Sequence, residues 1–248
     1  MTEETSRDLV ARAEALGSRT GQQLRLILEL GPICGLRPAE WVTAELRGHT
    51  LVARCAKYSE HNGRATGETR SLQLPGRLQG ERDLLRIGAT LMTLREDAEA
   101  ADGDVSMVVG RLARTLRGIR GVNSRIVLRT TRDQARANMM RAYLAEFNGP
   151  LDDAAMIDVA VIVAAAFGHR STDSQSVYGR TSRGWRSAPV ASPDRATLDA
   201  VQIGPSMRGK LARGEPLRLL AAVAERHRRC EKQEDDDAHV TSLSAPEM

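Results

Sequence analysis

The stretch Gly31–Lys57, GPICGLRPAEWVTAELRGHTLVARCAK, decides how the chain folds. A helical pattern runs into it and a β pattern runs out of it. Upstream, Thr20 to Leu30 reads as a helix that is nearly apolar from Leu24 on. Gly31, Pro32, Gly35 and Pro38 then break that pattern, because glycine loosens the backbone while proline removes a donor and fixes φ. Pro38 suits the first position of a new helix, where its missing N–H leaves no bond unmade, and this helix is expected to run through Ala39–Leu46. Leu51 to Lys57 (LVARCAK) and Thr69 to Leu74 (TRSLQL) are short strand candidates. The polar YSEHNGRATGE between them has turn composition. Two strands are marginal by themselves, so a small sheet resting on helices is expected.

Outward from this stretch the chain reads as helix. Ser6 to Leu16 carries Leu9, Val10, Ala13 and Leu16 at helical spacing, with Ser6 as candidate N-cap. Glu81–Ala100 and Val105–Ile119 are amphipathic. Thr131–Glu146 and Asp152–Phe167 follow, separated by the breaker Asn148-Gly149-Pro150. Residues 179–193 are rich in Ser, Arg, Gly and Pro. Glu215–Cys230 is amphipathic through Leu217, Leu219, Leu220, Val223 and Ala224, and residues 231–248 read as an acidic disordered tail. No internal repeat is visible. The fold class expected is mainly α with a small antiparallel β-sheet (α+β), with one domain spanning residues 1–230.

Composition narrows the function classes. The 248 residues are ample for one core, and no run of 18 apolar residues suggests a membrane span. The N-terminus, MTEETSRDLV, is acidic and polar, unlike a secretory signal. Cys34, Cys55 and Cys230 are too scattered for a disulfide framework or a CxxC zinc site, and His49, Cys55 and His61 lack zinc spacing. An intracellular setting is expected. Of the 36 basic residues only Lys57, Lys210 and Lys232 are lysine, so 33 are arginine, the residue suited to bidentate phosphate contacts. Beyond residue 230 lie six acids against Lys232, so the body carries about +9 of a chain whose net charge is +4. A polyanion partner fits that balance, and so does a merely solvated basic surface.

Four local patterns carry chemistry. Gly35-Leu36-Arg37-Pro38-Ala39-Glu40 puts Arg37 at a helix start, where backbone N–H groups favour an anion. Lys57 ends the first strand, where a lysine can also serve to block edge pairing. Arg129-Thr130-Thr131-Arg132-Asp133 sets two arginines three apart at a helix start, able to converge on one anion or to pair with Asp133. Phe167-Gly168-His169-Arg170 is followed, nine residues after His169, by Tyr178. Tyr143 has apolar helical neighbours and reads as core, whereas Tyr178 borders a polar, glycine-rich segment.

In order and spacing these patterns resemble the catalytic domain of the tyrosine recombinase (phage integrase) family. The family's first arginine box reads GLRxxE, matched by Gly35 to Glu40, and a hairpin lysine follows at Lys57. The second box is His-x-x-Arg at a helix start, occupied by Arg129 and Arg132. A Gly-His pair then precedes a tyrosine, as Gly168-His169 and Tyr178 do. The resemblance spans roughly residues 5–185. It departs at the second box, where arginine replaces histidine. The chain also begins only about 35 residues before the first box, so the separate N-terminal clamp domain of the family is expected to be absent.

The resemblance implies a site-specific recombinase or integrase of a mobile element. Tyr178 would be the nucleophile, forming a 3′-phosphotyrosine link. Arg37 and Arg132 would clamp the phosphate, with Arg129 and Arg170 as further phosphate contacts. Lys57 would be the general acid, His169 would assist, and Glu40 would brace the site. No metal or other cofactor is expected, because the covalent intermediate conserves the bond energy. The partner implied is double-stranded DNA, bound by a homo-oligomer through the 215–230 helix or with a second protein supplying the clamp, in the cytoplasm near the nucleoid. A DNA-binding accessory protein that keeps the fold with weak catalysis, and a nick-and-reseal topoisomerase, remain open at this point.

Overall fold

A computed structural model of the chain describes residues 1–59, 65–122, 124–146, 152–173 and 184–213. Helix α1 (Glu3–Ala15) is capped by Thr2, whose hydroxyl accepts the Thr5 N–H at 3.1 Å. Ser6, the expected cap, is buried one turn inside it. Helix α2 (Arg19–Cys34) is longer than its pattern predicts. It carries Pro32 in its last turn, where the ring removes only one internal donor, and the Pro32 carbonyl accepts from Asn138 Nδ2 at 3.0 Å. The helix ends at Gly35, whose N–H bonds Gly31 O at 2.9 Å with φ +64°. A side chain there would also meet Phe167 Cζ at 2.9 Å, so glycine is required twice over.

Helix α3 (Pro38–Val42) is shorter than expected. Pro38 opens it, and Glu40 reaches back to accept the Arg37 backbone N–H at 2.7 Å. The residues after it form a strand instead. Strands β1 (Glu45–Arg47) and β2 (Thr50–Arg54) pair antiparallel across Gly48-His49, with Gly48 at φ +58°, the first-position glycine of a II′ hairpin. β3 (Thr69–Gln73) pairs with β2, with Ala53 opposite Arg70 and Leu51 opposite Leu72. These four residues are the buried face of the alternation. β2 stops at Arg54, so Lys57 does not end a strand. It lies in a turn closed by Tyr58 N–H to Cys55 O at 2.9 Å.

A 3-10 turn at Gly76–Leu78 leads to α4 (Glu81–Glu99) and α5 (Val105–Ile119), which Asp104 caps by accepting the Ser106 and Met107 N–H groups. α6 starts earlier than its pattern predicts (Leu128–Ala145), and Thr130 Oγ1 accepts the Val127 N–H at 3.0 Å. α7 (Asp153–Ala166) has apolar residues on most sides and is buried along most of its length. β4 (Ser192–Pro193) joins the other edge of β3. It sits at the end of the 179–193 segment, which is rich in Ser, Arg, Gly and Pro and has no strand pattern. Two short helices, α8 (Arg195–Asp199) and α9 (Pro205–Ala212), follow.

Among the described residues the sheet is four-stranded and antiparallel in the order β1-β2-β3-β4. α2 packs against both α1 and α6, and Leu24, Ile27, Leu28, Trp41 and Met139 form the centre of the core. The fold is thus mainly helical with a small antiparallel sheet. Among the described residues no helix is long and apolar enough to cross a membrane. Tyr178, the 215–230 helix and the 231–248 tail lie outside the described residues.

Candidate functional site

Two helix ends and two helix starts meet at one place. α2 ends at Gly35, and the chain turns into Leu36-Arg37. α7 ends in a Schellman motif, with Gly168 N–H to Ala165 O and His169 N–H to Ala164 O, both at 2.8 Å. Gly168 adopts φ +63°, which swings His169 off the helix. α3 supplies Glu40 and α6 supplies Arg132. Residues far apart in sequence are thereby brought into contact.

Glu40 is the centre of the cluster. It accepts from Arg37 Nη1 at 2.7 Å, from the Arg37 backbone, and from the Ala56 N–H at 3.2 Å. It also accepts from Arg70 Nη2 at 2.7 Å, and Arg132 Nη1 lies 3.8 Å away. Burial alone would raise its carboxyl. Arg70, Arg37 and Arg132 outweigh burial and hold it at about 2.

Arg132 is 2 % exposed. It donates to Gly35 O and, at 3.0 Å, to Phe167 O, so one guanidinium closes the carbonyl ends of α2 and α7. Its carbon lies 4.3 Å from the centre of the Phe167 ring. His169 Nε2 faces Arg37 Nη2 at 3.3 Å and Arg132 Nη2 at 3.5 Å. A guanidinium can only donate, so Nε2 is the acceptor and the ring proton sits on Nδ1. Burial first, and then Arg132, Arg37, Arg70 and Lys57, push this imidazole down to about 2. It is therefore neutral.

Of the residues singled out in the sequence, Arg37, Glu40, Arg132 and His169 come together in direct contact. Lys57 stands exposed at the rim, close enough to weigh on His169. Arg129, one turn before Arg132, is exposed with Asp133 at 4.0 Å, and Arg170, beside His169, is also exposed. Among the described residues, four cations (Arg37, Lys57, Arg70, Arg132) against the carboxylate of Glu40 give the cluster a net +3. Such a cluster suits a multiply charged anion such as a phosphate.

Arg70 belongs to none of the four sequence patterns. It is fully buried on β3, in register with Leu72, and links Glu40 to the Gly168 turn. The signal lay in the alternation. In TRSLQL, Arg70 shares the inward parity of Leu72 and Leu74. No family model, curated protein or solved structure matches the chain.

Proposed function

We propose that the chain is a DNA strand transferase of the tyrosine recombinase type, cutting and rejoining duplex DNA through a phosphotyrosine link. The observation that carries this reading is the cationic cluster around Glu40. Positions 37, 132 and 169 meet there, with Lys57 at its rim, in the order and spacing that motivated the resemblance.

In this mechanism Arg37 and Arg132 hold the non-bridging oxygens of the scissile phosphate, where fixed donors are worth most. The Tyr178 oxygen bonds to phosphorus and gives up its proton. The bond from phosphorus to the 5′ oxygen breaks, and Lys57 protonates that oxygen as it leaves. The reverse steps rejoin the strand, so neither hydrolysis nor an energy source is involved. In its present surroundings His169 is a weak base. A phosphate among the cations would raise its proton affinity, letting the imidazole hold a phosphate oxygen or take the tyrosine proton.

The direct test is a nicked duplex that loses a short fragment on cleavage and so traps the covalent state. The wild-type chain should give a denaturant-resistant protein–DNA adduct. Tyr178→Phe should give none while binding DNA as before, and adducts persisting in that variant sink the assignment. The burial of Arg132 against two carbonyls favours a second reading, an accessory DNA-binding protein in which the cluster is structural. That reading predicts wild-type DNA binding with no adduct.

A further inference from the structure

From Val105 to Arg132 the chain holds seven arginines and no aspartate or glutamate over 28 residues. Among the described residues elsewhere, most arginines have acidic partners. Arg7 pairs with Glu3, Arg25 with Glu14 and Glu29, Arg47 and Arg95 with Glu45, Arg86 with Glu29, and Arg195 with Asp199. Within the acid-free stretch, Arg111 reaches Asp97 on α4, and Arg120 donates to the Ile126 carbonyl. Arg114, Arg117 and Arg125 are exposed, and among the described residues none has an ion pair or a side-chain hydrogen bond. Uncompensated positive charge is thus gathered on the outer side of α5 and on the connection to α6.

We infer that this surface is a docking track for the phosphate backbone of duplex DNA, leading from α5 to the start of α6. The inference rests on the proposed function, because the same stretch runs on into Arg129 and Arg132 at the candidate site. Three features choose the partner. α5 buries its apolar stripe, Val108, Leu112 and Leu116, in the protein's own core, so that face is not available to enter a lipid surface. The stretch contains no Phe, Tyr or Trp on which unpaired bases could stack, which disfavours single strands. Arg114 and Arg117 are neighbours on one helix face, and the exposed Arg125 follows on the connection, so the charges succeed one another along the chain. A succession of guanidinium groups without base-reading partners suits repeated phosphates, contacted without regard to sequence.

The test compares two triple variants of the full chain that change net charge equally. R114Q/R117Q/R125Q removes the track, and R7Q/R47Q/R195Q removes three arginines that have acidic partners. Duplex affinity is measured against salt concentration for both and for the wild type, and binding to vesicles rich in anionic lipid is measured in parallel. The track variant should weaken binding to all duplex sequences alike. It should also reduce the slope of log affinity against log salt by about 3, near one unit for each phosphate that is no longer neutralised. The control variant should keep the wild-type slope. An unchanged slope in the track variant overturns the inference, as does an equal loss in the control, a wild-type chain that does not bind duplex, or a defect confined to vesicles. If the track variant alone loses the slope but the wild-type chain forms no covalent adduct, the track stands and strand transfer falls. If adducts form and the slope is unchanged, strand transfer stands and the track falls.

Discussion

A carboxylate bonded to two arginines with a third 3.8 Å away, as Glu40 is, stays ionised far below the usual carboxylate range. Its proton affinity falls from 4.5 unfolded to about 2 folded, so its contribution to stability is present above about pH 4.5 and is lost as pH falls toward 2. Glu40→Gln leaves the three surrounding guanidinium groups without their counter-charge and should cost about 3–5 kcal/mol in a denaturant titration. A loss under 1 kcal/mol would mean the arginines find other partners. His169 works in the same direction over a higher window. Its proton affinity falls from 6.5 to about 2, so the unfolded chain takes up a proton below pH 6.5 that the folded chain refuses. Stability should therefore decline from pH 6.5 to 4.5, before Glu40 begins to titrate, and His169→Asn should flatten that decline. A decline of equal slope in the variant would place the responsible group elsewhere. At this scale Arg37, Glu40, Arg132 and His169 were legible because each sits in a short pattern of fixed spacing. Arg70 was not, because a buried arginine in a strand contradicts the ordinary preference for apolar residues there. Only its partner on another element explains it.

Helix ends place these groups, and the ends were the hardest features to read. Gly31-Pro32 looks like a stop, yet α2 runs on to Cys34, because the lost donor lies in the last turn and packing against α6 supports the segment. TAELR reads as helix by propensity, but Leu46 and Arg47 pair with Leu51 and Thr50 once Gly48 turns the chain, and tertiary pairing overrides local preference. β4 has two residues and no pattern of its own. The Gly168 turn is the element on which the site depends most. A side chain there meets both a left-handed backbone and the Arg70 guanidinium. Gly17 has a similar φ of +58° but open space around it. Gly168→Ala should cost more than Gly17→Ala, which carries only the backbone strain of roughly 1–3 kcal/mol. Equal shifts in denaturant midpoint would show that Arg70 moves aside without penalty.

For the whole molecule, the mainly helical class with a small antiparallel sheet followed from periodicity, because helices dominate and the hairpin strands alternate cleanly. The arginine excess, ambiguous as composition, separates into three populations in the structure. Some arginines tie helices together through acidic partners, three surround Glu40, and others lie exposed along α5 and its connection to α6. Strand transfer requires two of the second population, Arg37 and Arg132, to hold a phosphate while Tyr178 attacks it. The most direct measurement is the identity of the residue linked to DNA. A trapped reaction on nicked duplex is digested with nuclease and protease, and the modified peptide is located by mass spectrometry. Strand transfer by this site predicts a nucleotide attached through a 3′-phosphate to Tyr178, in a yield that falls by about 10²–10³ at early times in Arg37→Ala. Attachment at another residue, or no attachment from a chain that binds the same duplex, would contradict it.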